Sequence, residues 1–319
     1  MARRKSDQED YGVSYIVSAC NIEQQRQSQR QHQASLYTPG VATCSRRQIH
    51  GTHVTLSIDS VIVEEPLQIR LLYVDQHGQE QDRVYLVTMR TPGDDYNLVT
   101  GLLLAEGVIK TARDISGFNE QLDHDEISSN EIHVSLAPGV IVDWSLISRD
   151  TTSFSSCGVC GKSSIKSLEL RGIPALDTRE HWLPGNIIPS LTEKLRQSQS
   201  MFAATGGVHG CGLFDAKGEL LLSCEDVGRH NALDKLTGQM ARVPERYQHG
   251  SVILLSGRIS FELVQKVLVA GISVLVAAGA PSNLAINMAK RFNLTLIGFT
   301  HSGGFNIYHG AFRLNLTKQ

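Results

Sequence analysis

An alternation of uncharged apolar strands with amphipathic helices in the second half of the chain most constrains the fold. Short strand patterns without charged residues occur at 251–255, 273–278 and 294–299, with the sequences SVILL, SVLVAA and LTLIGF. Segments with helical apolar spacing separate them. Because strands without charge are buried on both faces of a sheet, helices must cover each side. The sequence therefore predicts an α/β fold for this half of the chain, and no internal repeat is evident.

The rest of the chain has a different character. Residues 1–48 form a Gln/Arg-rich tail that we expect to be disordered, because stretches such as EQQRQSQRQHQ cannot bury enough apolar surface to offset their ordering entropy. Residues 49–150 form a β-rich portion with alternating apolar and polar positions and one helix. Residues 151–165 form a loop with a C-x-x-C motif, which we expect to be mobile. The α/β portion, which is expected to bind the ligand, extends over 166–319.

Local signals predict where two helices begin and end. In the β-rich portion, Asp94 or Asp95 caps a helix with apolar i,i+4 pairs, and Gly107 ends it. In the α/β portion, Ser190 and Glu193 have the spacing of a capping box, which predicts that a helix starts there.

Composition argues against several classes of function. The net charge is −2, so no overall field attracts the protein to nucleic acid or to an anionic membrane, and neither is expected as a partner. The most apolar stretch, VLVAGISVLVAAGA, is shorter than the ~18–20 residues that a membrane span requires. The basic residues near the N-terminus are not followed by the apolar run of a secretion signal, so we expect a cytoplasmic location.

A pair of cysteines, Cys157 and Cys160, lies in the polar segment SSCGVCGKSSI and has several interpretations. A structural zinc site needs four ligands, and the candidates that could complete it are His209, Cys211 and Cys224, of which His209 with Cys211 is the conceivable pair. A thioredoxin-type dithiol lies at a strand-to-helix junction, whereas this pair follows a polar stretch. A carrier thiol fits the small, polar surroundings, and Lys162 favours its thiolate form. In that case Cys157 holds sulfur as a persulfide, which Cys160 resolves or protects; two inert loop cysteines are the remaining alternative.

Polar segments near the ends of the predicted strands indicate a ligand site, because ligands of α/β proteins approach the carboxyl ends of strands. The segments contain glycines that admit close approach, Arg side chains, and a helix N-terminus that offers backbone N–H groups to an anion. Lys235 is a further candidate for phosphate binding. Together they predict a nucleotide-like anionic ligand, with a solvated, salt-bridged turn as the alternative for 224–235. The candidate residues are Gly206, Gly207, His209, Arg229, His230, Asn231, Ser256, Gly257 and Arg258.

Several motifs of the chain resemble those of the FdhD family, the formate dehydrogenase accessory sulfurtransferases. The resemblance runs from Thr52 to Tyr308 and leaves the Gln-rich tail outside it. The number, length and order of the motifs make it specific. The matching segments are EEPL, MRTPGDD, LLAEGVI, SSCGVCGKSSI, TGGVHG, EDVGRHNALDK, SGRISFELVQK, APSNLA and LTLIGFTHSGGFNIY.

The resemblance implies a cytidine-deaminase-like, three-layer α/β/α core with a β-rich N-terminal portion, in a cytoplasmic homodimer. It implies a protein that takes sulfur from a cysteine desulfurase and passes it to the molybdenum cofactor, bis-molybdopterin guanine dinucleotide, for the catalytic subunit of formate dehydrogenase. Cys157 is then the catalytic persulfide carrier and Cys160 the second catalytic cysteine, and no permanently bound metal is expected. The segment that the resemblance assigns to the guanine dinucleotide consists of Phe299, Thr300, His301, Ser302, Gly303 and Gly304.

The chain departs from the family pattern in two segments. His301 and Gly304 stand where family members often carry Arg, which weakens phosphate contacts unless Arg229 or Arg258 takes over. Cys211 adds a third thiol near the site and keeps a metal-binding variant open. The alternative function is a non-catalytic chaperone that binds the molybdenum cofactor and holds structural zinc on its cysteines; a dithiol oxidoreductase is a third. Zinc-deaminase chemistry is not expected, because the P-C-x-x-C part of that signature is absent.

Overall fold

The structure is a computed structural model that describes residues 40–120, 130–144 and 172–316. It starts with an antiparallel hairpin of β1 (Val41–His50) and β2 (His53–Ile62). Each residue of β1 pairs with one residue of β2, and most side chains of the hairpin are exposed. The hairpin is therefore held by its backbone ladder rather than by a core of its own.

Strand β1 corrects the predicted boundary of the disordered tail. The sequence predicts a tail over 1–48, but residues 41–48 belong to β1, so the prediction is wrong for them. Because this strand buries almost none of its side chains, it lacks the apolar periodicity from which a strand is predicted. Residues 1–39 lie outside the described part of the chain.

A four-stranded sheet and one α-helix follow the hairpin and enclose a core. Alternate residues of strand β3 are buried, as a period of two predicts, and they pack against helix α1. The buried side chains include Leu67, Ile69 and Leu71 from the strand and Leu98, Val99 and Leu103 from the helix. The spatial order is β4-β3-β6-β5, and the elements are β3 (Glu65–Val74), β4 (Glu80–Arg90), α1 (Asp95–Glu106), β5 (Ile115–Glu120) and β6 (Glu131–Leu136).

The ends of two helices test the predicted caps. Helix α1 ends at Gly107, which takes the left-handed conformation, as predicted. Asp94 directly precedes the helix, but its side chain makes no capping hydrogen bond. Helix α2 (Ile188–Ser198) begins before Ser190, whose hydroxyl donates to a backbone carbonyl, so the predicted capping box is wrong. A proline in the first turn, Pro189, is the residue that suits this helix start.

A six-stranded sheet forms the centre of the α/β portion. Its strands are β8 (His209–Asp215), β9 (Leu220–Asp226), β10 (Gly250–Leu255), β11 (Val274–Ala277), β12 (Thr295–His301) and β13 (Gly304–His309), in the spatial order β13-β12-β11-β10-β8-β9. Strands β9, β10, β11 and β12 run in one direction, and β8 and β13 run in the other. The short strands β7 (Leu183–Pro184) and β14 (Leu314–Asn315) form a separate parallel pair.

Helices cover both faces of the six-stranded sheet. One face is covered by α4, α6 and α7, and α2 covers the other face through Leu191 and Leu195. The predicted α/β class is therefore confirmed, whereas its cytidine-deaminase-like character stays a prediction. The helices that follow α2 are α3 (Ser200–Thr205), α4 (Arg229–Arg242), α5 (Pro244–Tyr247), α6 (Phe261–Val269) and α7 (Asn283–Arg291), and short 3-10 turns lie at Ala112–Asp114, Gly185–Ile187 and Ala311–Arg313.

Helices α1 and α4 join the β-rich portion to the α/β portion. A side-chain bond accompanies their contact, because Arg242 of α4 donates to the amide oxygen of Asn97 in α1 over 3.0 Å. The described residues from Gly40 onward accordingly lie in one compact unit.

Candidate functional site

The polar segments predicted from the sequence meet at one edge of the six-stranded sheet. Strands β9, β10 and β12 end at this edge because they are parallel, and each leads directly into a polar segment. Strand β8 runs in the opposite direction, so it begins at the same edge and brings Gly206, Gly207 and His209 there. The loop 278–282, which follows β11, completes the edge and was not among the predicted site residues. The structure thus brings the predicted segments together at the carboxyl ends of the parallel strands.

Backbone hydrogen bonds tie three of these loops together. The N–H of Gly279 donates to the carbonyl of Gly257 over 3.1 Å, and the N–H of Phe299 donates to the carbonyl of Gly279 over 3.1 Å. A Cβ atom on Gly279 would lie 2.7 Å from the Gly257 carbonyl oxygen, so only glycine lets the loops approach this closely. The three loops therefore form one continuous surface.

Asp226, at the end of β9, is a buried centre of hydrogen bonds. Its Oδ1 atom accepts from the N–H of Gly228 over 2.8 Å, while Oδ2 accepts from the N–H of Thr91 over 3.1 Å. Oδ2 also pairs with the Nζ atom of Lys235 over 2.8 Å. Lys235 is 2% exposed and donates in addition to the Thr91 carbonyl, so its predicted role in phosphate binding is wrong. Its charge instead compensates a buried carboxylate that links the two portions of the fold.

The imidazole of His209 is half-buried at the same edge, beside the backbone of Gly257. Burial lowers the pKa of His209 below its usual 6.5, and the basic side chains of Arg229, His230 and Arg258 lower the pKa further. The ring is therefore neutral at pH 7 and offers one donor and one acceptor nitrogen. At His209 these basic side chains outweigh the opposing effect of the Asp226 carboxylate, although the whole chain carries a net charge of −2.

The first turn of α4 carries two of the predicted basic residues. The Nε atom of Arg229 is buried and has no hydrogen-bond partner among the residues that the structure describes. The Nε2 atom of His230 lies 3.3 Å from the hydroxyl of Ser260 and 3.9 Å from a carboxylate oxygen of Glu262. The proximity of His230 lowers the pKa of the Glu262 carboxyl to about 2. His230 is therefore held in place from α6, whereas Arg229 keeps a buried donor to offer.

Asn231, also predicted to bind the ligand, connects α4 to strand β4. Its amide nitrogen donates to the carbonyl of Met89 over 2.7 Å and to Oδ1 of Asp226 over 3.3 Å. An amide nitrogen has two hydrogens, and these two bonds use both of them. A ligand at this edge could therefore use only the amide oxygen of Asn231.

The end of β12, the turn after it and the start of β13 hold the predicted residues 299–304. Phe299 adopts a left-handed conformation with φ 53°, which is rare for a bulky side chain and is found preferentially at functional sites. Thr300 is buried, and its hydroxyl has no hydrogen-bond partner within the described ranges. The N–H of Gly303 donates to Nδ1 of His301 over 3.0 Å, and both residues are exposed. Ser302 at the tip is also exposed, so the turn presents backbone and side-chain groups to solvent.

A cavity of about 460 Å³ lies beside this edge, on the face of the sheet that α2 covers. Four predicted residues line it, namely Gly206, Gly207, His209 and Ser256. Sequence reasoning missed the polar residues that α2 and its C-terminal end contribute, because exposed and cavity-facing polar residues of a helix have the same sequence pattern. These residues are Thr192, Arg196 and Gln199.

Cys157 and Cys160, the predicted catalytic residues, lie outside the described residues, as does the whole loop 151–165. Their roles therefore remain predictions from the sequence. Of the cysteines that the structure describes, Cys44 is an exposed free thiol on β1.

The other two described cysteines, Cys211 and Cys224, are buried free thiols in the core of the α/β portion. Burial raises the pKa of Cys211 well above 9.0 and raises the pKa of Cys224 to about 12. The thiol of Cys211 also donates to the carbonyl of Ala232 over 2.9 Å. Such a thiol is a poor nucleophile, and it would have to break this bond to act as the zinc ligand considered above. Within the described ranges, no three His, Cys, Asp or Glu side chains lie close enough together to hold a metal ion.

The described helices are also too short or too polar to cross a membrane.

Comparisons with known proteins agree with this architecture. Residues 62–315 match the FdhD/NarQ family. A relative named sulfur carrier protein FdhD from Streptomyces coelicolor is 40% identical over 81% of this chain and 90% of its own length. A relative of the same name from Mycobacterium tuberculosis is 39% identical over 86% of this chain and 99% of its own length. Another from Sulfolobus acidocaldarius is 37% identical over 82% of this chain and 93% of its own length. A crystal structure from Desulfotalea psychrophila is named as that of a formate dehydrogenase accessory protein. It matches 85% of this chain and 97% of its own chain with a TM-score of 0.61 and 24% identity, which shows a shared fold.

The fold and the site define an α/β protein in which a β-rich portion is joined to a mixed six-stranded sheet that helices cover on both faces and whose polar edge carries basic side chains. Within this class, the chain belongs to the FdhD/NarQ family. The resemblance predicted from the sequence motifs is therefore confirmed.

Proposed function

We propose that this protein is a sulfur carrier for formate dehydrogenase and that Cys157 carries the sulfur as a persulfide. It accepts the sulfur from a cysteine desulfurase and delivers it to the molybdenum cofactor, bis-molybdopterin guanine dinucleotide, which is a substrate rather than a resident group. The names of relatives at 37–40% identity support the carrier role. In this proposal the protein acts in the cytoplasm as a homodimer, and its partners are the desulfurase and the catalytic subunit of formate dehydrogenase.

The convergence of the polar segments at one edge of the sheet is the observation that carries the proposal. A guanine dinucleotide bears phosphates, which favour a site with positive charge and unpaired backbone N–H groups. Arg229 and Arg258 lie near His209 at this edge and lower its pKa, so the field there is positive. The edge therefore has the electrostatic character that an anionic substrate needs.

Two buried atoms at the edge fit a large polar substrate. The Nε atom of Arg229 and the hydroxyl of Thr300 have no hydrogen-bond partner among the described residues. Buried polar atoms of this kind destabilise a fold unless a ligand or water satisfies them. Arg258 is exposed at the same edge, so it is available where His301 and Gly304 replace the arginines of other family members.

The sulfur transfer onto the protein balances without an external oxidant. The thiolate of Cys157 attacks the outer sulfur of a desulfurase persulfide, a new S–S bond forms, and the desulfurase cysteine leaves as a thiolate. When the cofactor is present, the thiolate of Cys160 attacks the Cys157 sulfur, which forms a disulfide between them and releases the outer sulfur as hydrosulfide for the cofactor. The two cysteines supply the two electrons of this step, and a thiol reductant restores them before the next cycle.

Maturation of formate dehydrogenase tests the proposal. Cells that lack this protein should regain formate dehydrogenase activity with the wild-type chain and with Cys44→Ala, but not with Cys157→Ala. Cys44 is a suitable control because it is an exposed free thiol on β1. Full activity with Cys157→Ala would overturn the assignment.

Metal analysis separates the carrier from the chaperone alternative. A zinc-holding chaperone should contain stoichiometric zinc that Cys157→Ala or Cys160→Ala removes. The carrier should be active without bound zinc, and Cys160→Ala should still accept sulfur but release it more slowly. Stoichiometric zinc in the wild-type protein that is lost from both variants would favour the chaperone.

A further inference from the structure

An unpartnered amide in the wall of the cavity beside the sheet edge points to a specific ligand group. Gln199 lies between α2 and α3, is 4% exposed and lines the cavity. Its Nε2 atom has no hydrogen-bond partner among the residues that the structure describes. A buried amide nitrogen without a partner is unfavourable, and such an atom calls for a ligand or a water molecule as its acceptor.

The neighbouring strand makes room for this amide. The side chain of Gln199 rests against Gly210 of β8, where any Cβ atom would collide with the amide group. Gly210 is therefore needed for the amide to pack against β8 beside the cavity. The packing holds a polar group at a defined place instead of leaving it free to turn to solvent.

The cavity walls suit a flat ring with one acceptor-bearing edge. Leu195, Phe202 and Val208 supply apolar surface, and the Arg196 guanidinium lies 3.7 Å from the centroid of the Phe202 ring. The volume of about 460 Å³ falls within the ~300–1,000 Å³ of small-molecule sites. The nitrogen of the Gln199 amide and the guanidinium of Arg196 are both donors, so they match oxygen atoms rather than amino groups.

We propose that this cavity binds a planar heterocycle through the 4-oxopyrimidine edge that guanine and pterins share, and that Gln199 is the residue that determines specificity for it. The amide nitrogen of Gln199 donates to the oxo group of the ring. Adenine carries an amino group at the equivalent position, so two hydrogen-bond donors, this amino group and the Gln199 amide nitrogen, would face each other. The inference rests on the proposed function, because guanine and pterin rings both occur in bis-molybdopterin guanine dinucleotide, but it concerns residues outside the predicted site.

The location of the cavity connects the ring to the predicted phosphate site. Gly206, Gly207 and Ser256 belong both to the cavity lining and to the predicted cofactor residues at the sheet edge. A ring inside the cavity therefore leaves its phosphate-bearing substituent at the loops that carry Arg229 and Arg258.

Equilibrium binding of small probes to the full chain tests the inference. The probes are GMP, 6-carboxypterin and AMP, with binding measured by calorimetry. We expect GMP or 6-carboxypterin to bind at least about tenfold more tightly than AMP, because the oxo group finds a buried donor that the amino group does not. Tighter binding of GMP or of 6-carboxypterin identifies which ring of the cofactor the cavity takes. Equal affinity for AMP would overturn the inference.

A matched pair of glutamine variants tests the role of Gln199. Gln199→Met keeps the length of the side chain and removes the amide, so the affinity for the preferred probe should fall about tenfold or more. The control is Gln197→Met on the same helix, where the amide donates to Glu193 on the exposed surface, and it should bind the probe as wild type does. Unchanged affinity in Gln199→Met would contradict the proposal.

Stability and sulfur loading complete the test. Gln199→Met removes an unpartnered buried donor, so its thermal midpoint should equal or exceed that of wild type. A lower midpoint would show that the amide is structural and would overturn the proposal. Loading of sulfur from a desulfurase is measured on the wild-type chain. Normal loading with equal affinity for GMP and AMP would count against the ring site alone, whereas absent loading would count against the carrier function.

Discussion

Gly101 of α1 and Gly238 of α4 face each other where the two helices cross. The backbone nitrogen of Gly101 lies 2.7 Å from the position that a Cβ atom on Gly238 would occupy, and a Cβ atom on Gly101 would overlap the carbonyl of Asp234. The helices therefore touch through their backbones, which glycine alone permits at both positions. This contact fixes the β-rich portion against α4, whose first turn carries Arg229 and His230.

Gly238→Ala should destabilise the protein by about 1–3 kcal/mol or more, because the added methyl group forces the two helices apart. The control is Gly117→Ala, whose Cβ atom would have no other atom within 4 Å, and its effect should stay below about 1 kcal/mol. Urea denaturation measures both changes in the free energy of unfolding. Equal values for the two variants would contradict the backbone contact.

Lys235→Met should destabilise the protein by about 3–5 kcal/mol, because it leaves the buried Asp226 carboxylate without its positive partner. Adding Asp226→Asn should recover part of this loss by removing the uncompensated charge. Arg46→Ala breaks an ion pair of similar length on the exposed hairpin, where the pair with Asp59 spans 2.7 Å, and it should change stability by less than about 1 kcal/mol. Chemical denaturation of the set checks these values. A loss for Lys235→Met no larger than that for Arg46→Ala would show that the buried pair does not tie the fold together.

The lowered pKa of His209 predicts that acid weakens the fold. In the unfolded chain this imidazole takes up a proton near its usual pKa of 6.5. In the folded chain burial and nearby basic groups lower the pKa, so the imidazole takes up its proton at a lower pH. Between these two pKa values the unfolded state binds more protons, so the free energy of unfolding falls as the pH falls. His209→Asn should remove this part of the pH dependence. The measurement compares the unfolding free energies of both proteins at about pH 7.5 and about pH 5.5; parallel losses in the two proteins would refute the assignment.

Sequence periodicity predicted the elements that bury apolar faces. Strands β10, β11 and β12 and the helices between them follow from uncharged runs and amphipathic spacing, because burial on a sheet demands those patterns. Strand β1 escaped prediction because its backbone ladder holds it without burying its side chains. Ser190 matched a capping box only by spacing, and the helix starts earlier, at a proline-containing turn.

The polar segments of the site could be predicted from the sequence, but the hydrogen bonds that connect distant residues could not. Four polar segments next to strand ends could be identified because the direction of parallel strands brings such segments to one edge. The bond from Thr91 to Asp226 joins residues 135 positions apart, and no local pattern predicts such a pair. Lys235 looked like a phosphate ligand because charge is visible in a sequence and burial is not. For the same reason Gln199, a buried amide in a polar stretch, was missed.

The intact mass of the protein after incubation with a cysteine desulfurase and cysteine tests the central claim most directly. The account predicts that wild type and the Cys44→Ala control each gain the mass of one sulfur atom, which a thiol reductant removes, and that Cys157→Ala gains none. A wild-type protein that takes up no sulfur, or a Cys157→Ala variant that takes up as much as wild type, would contradict it.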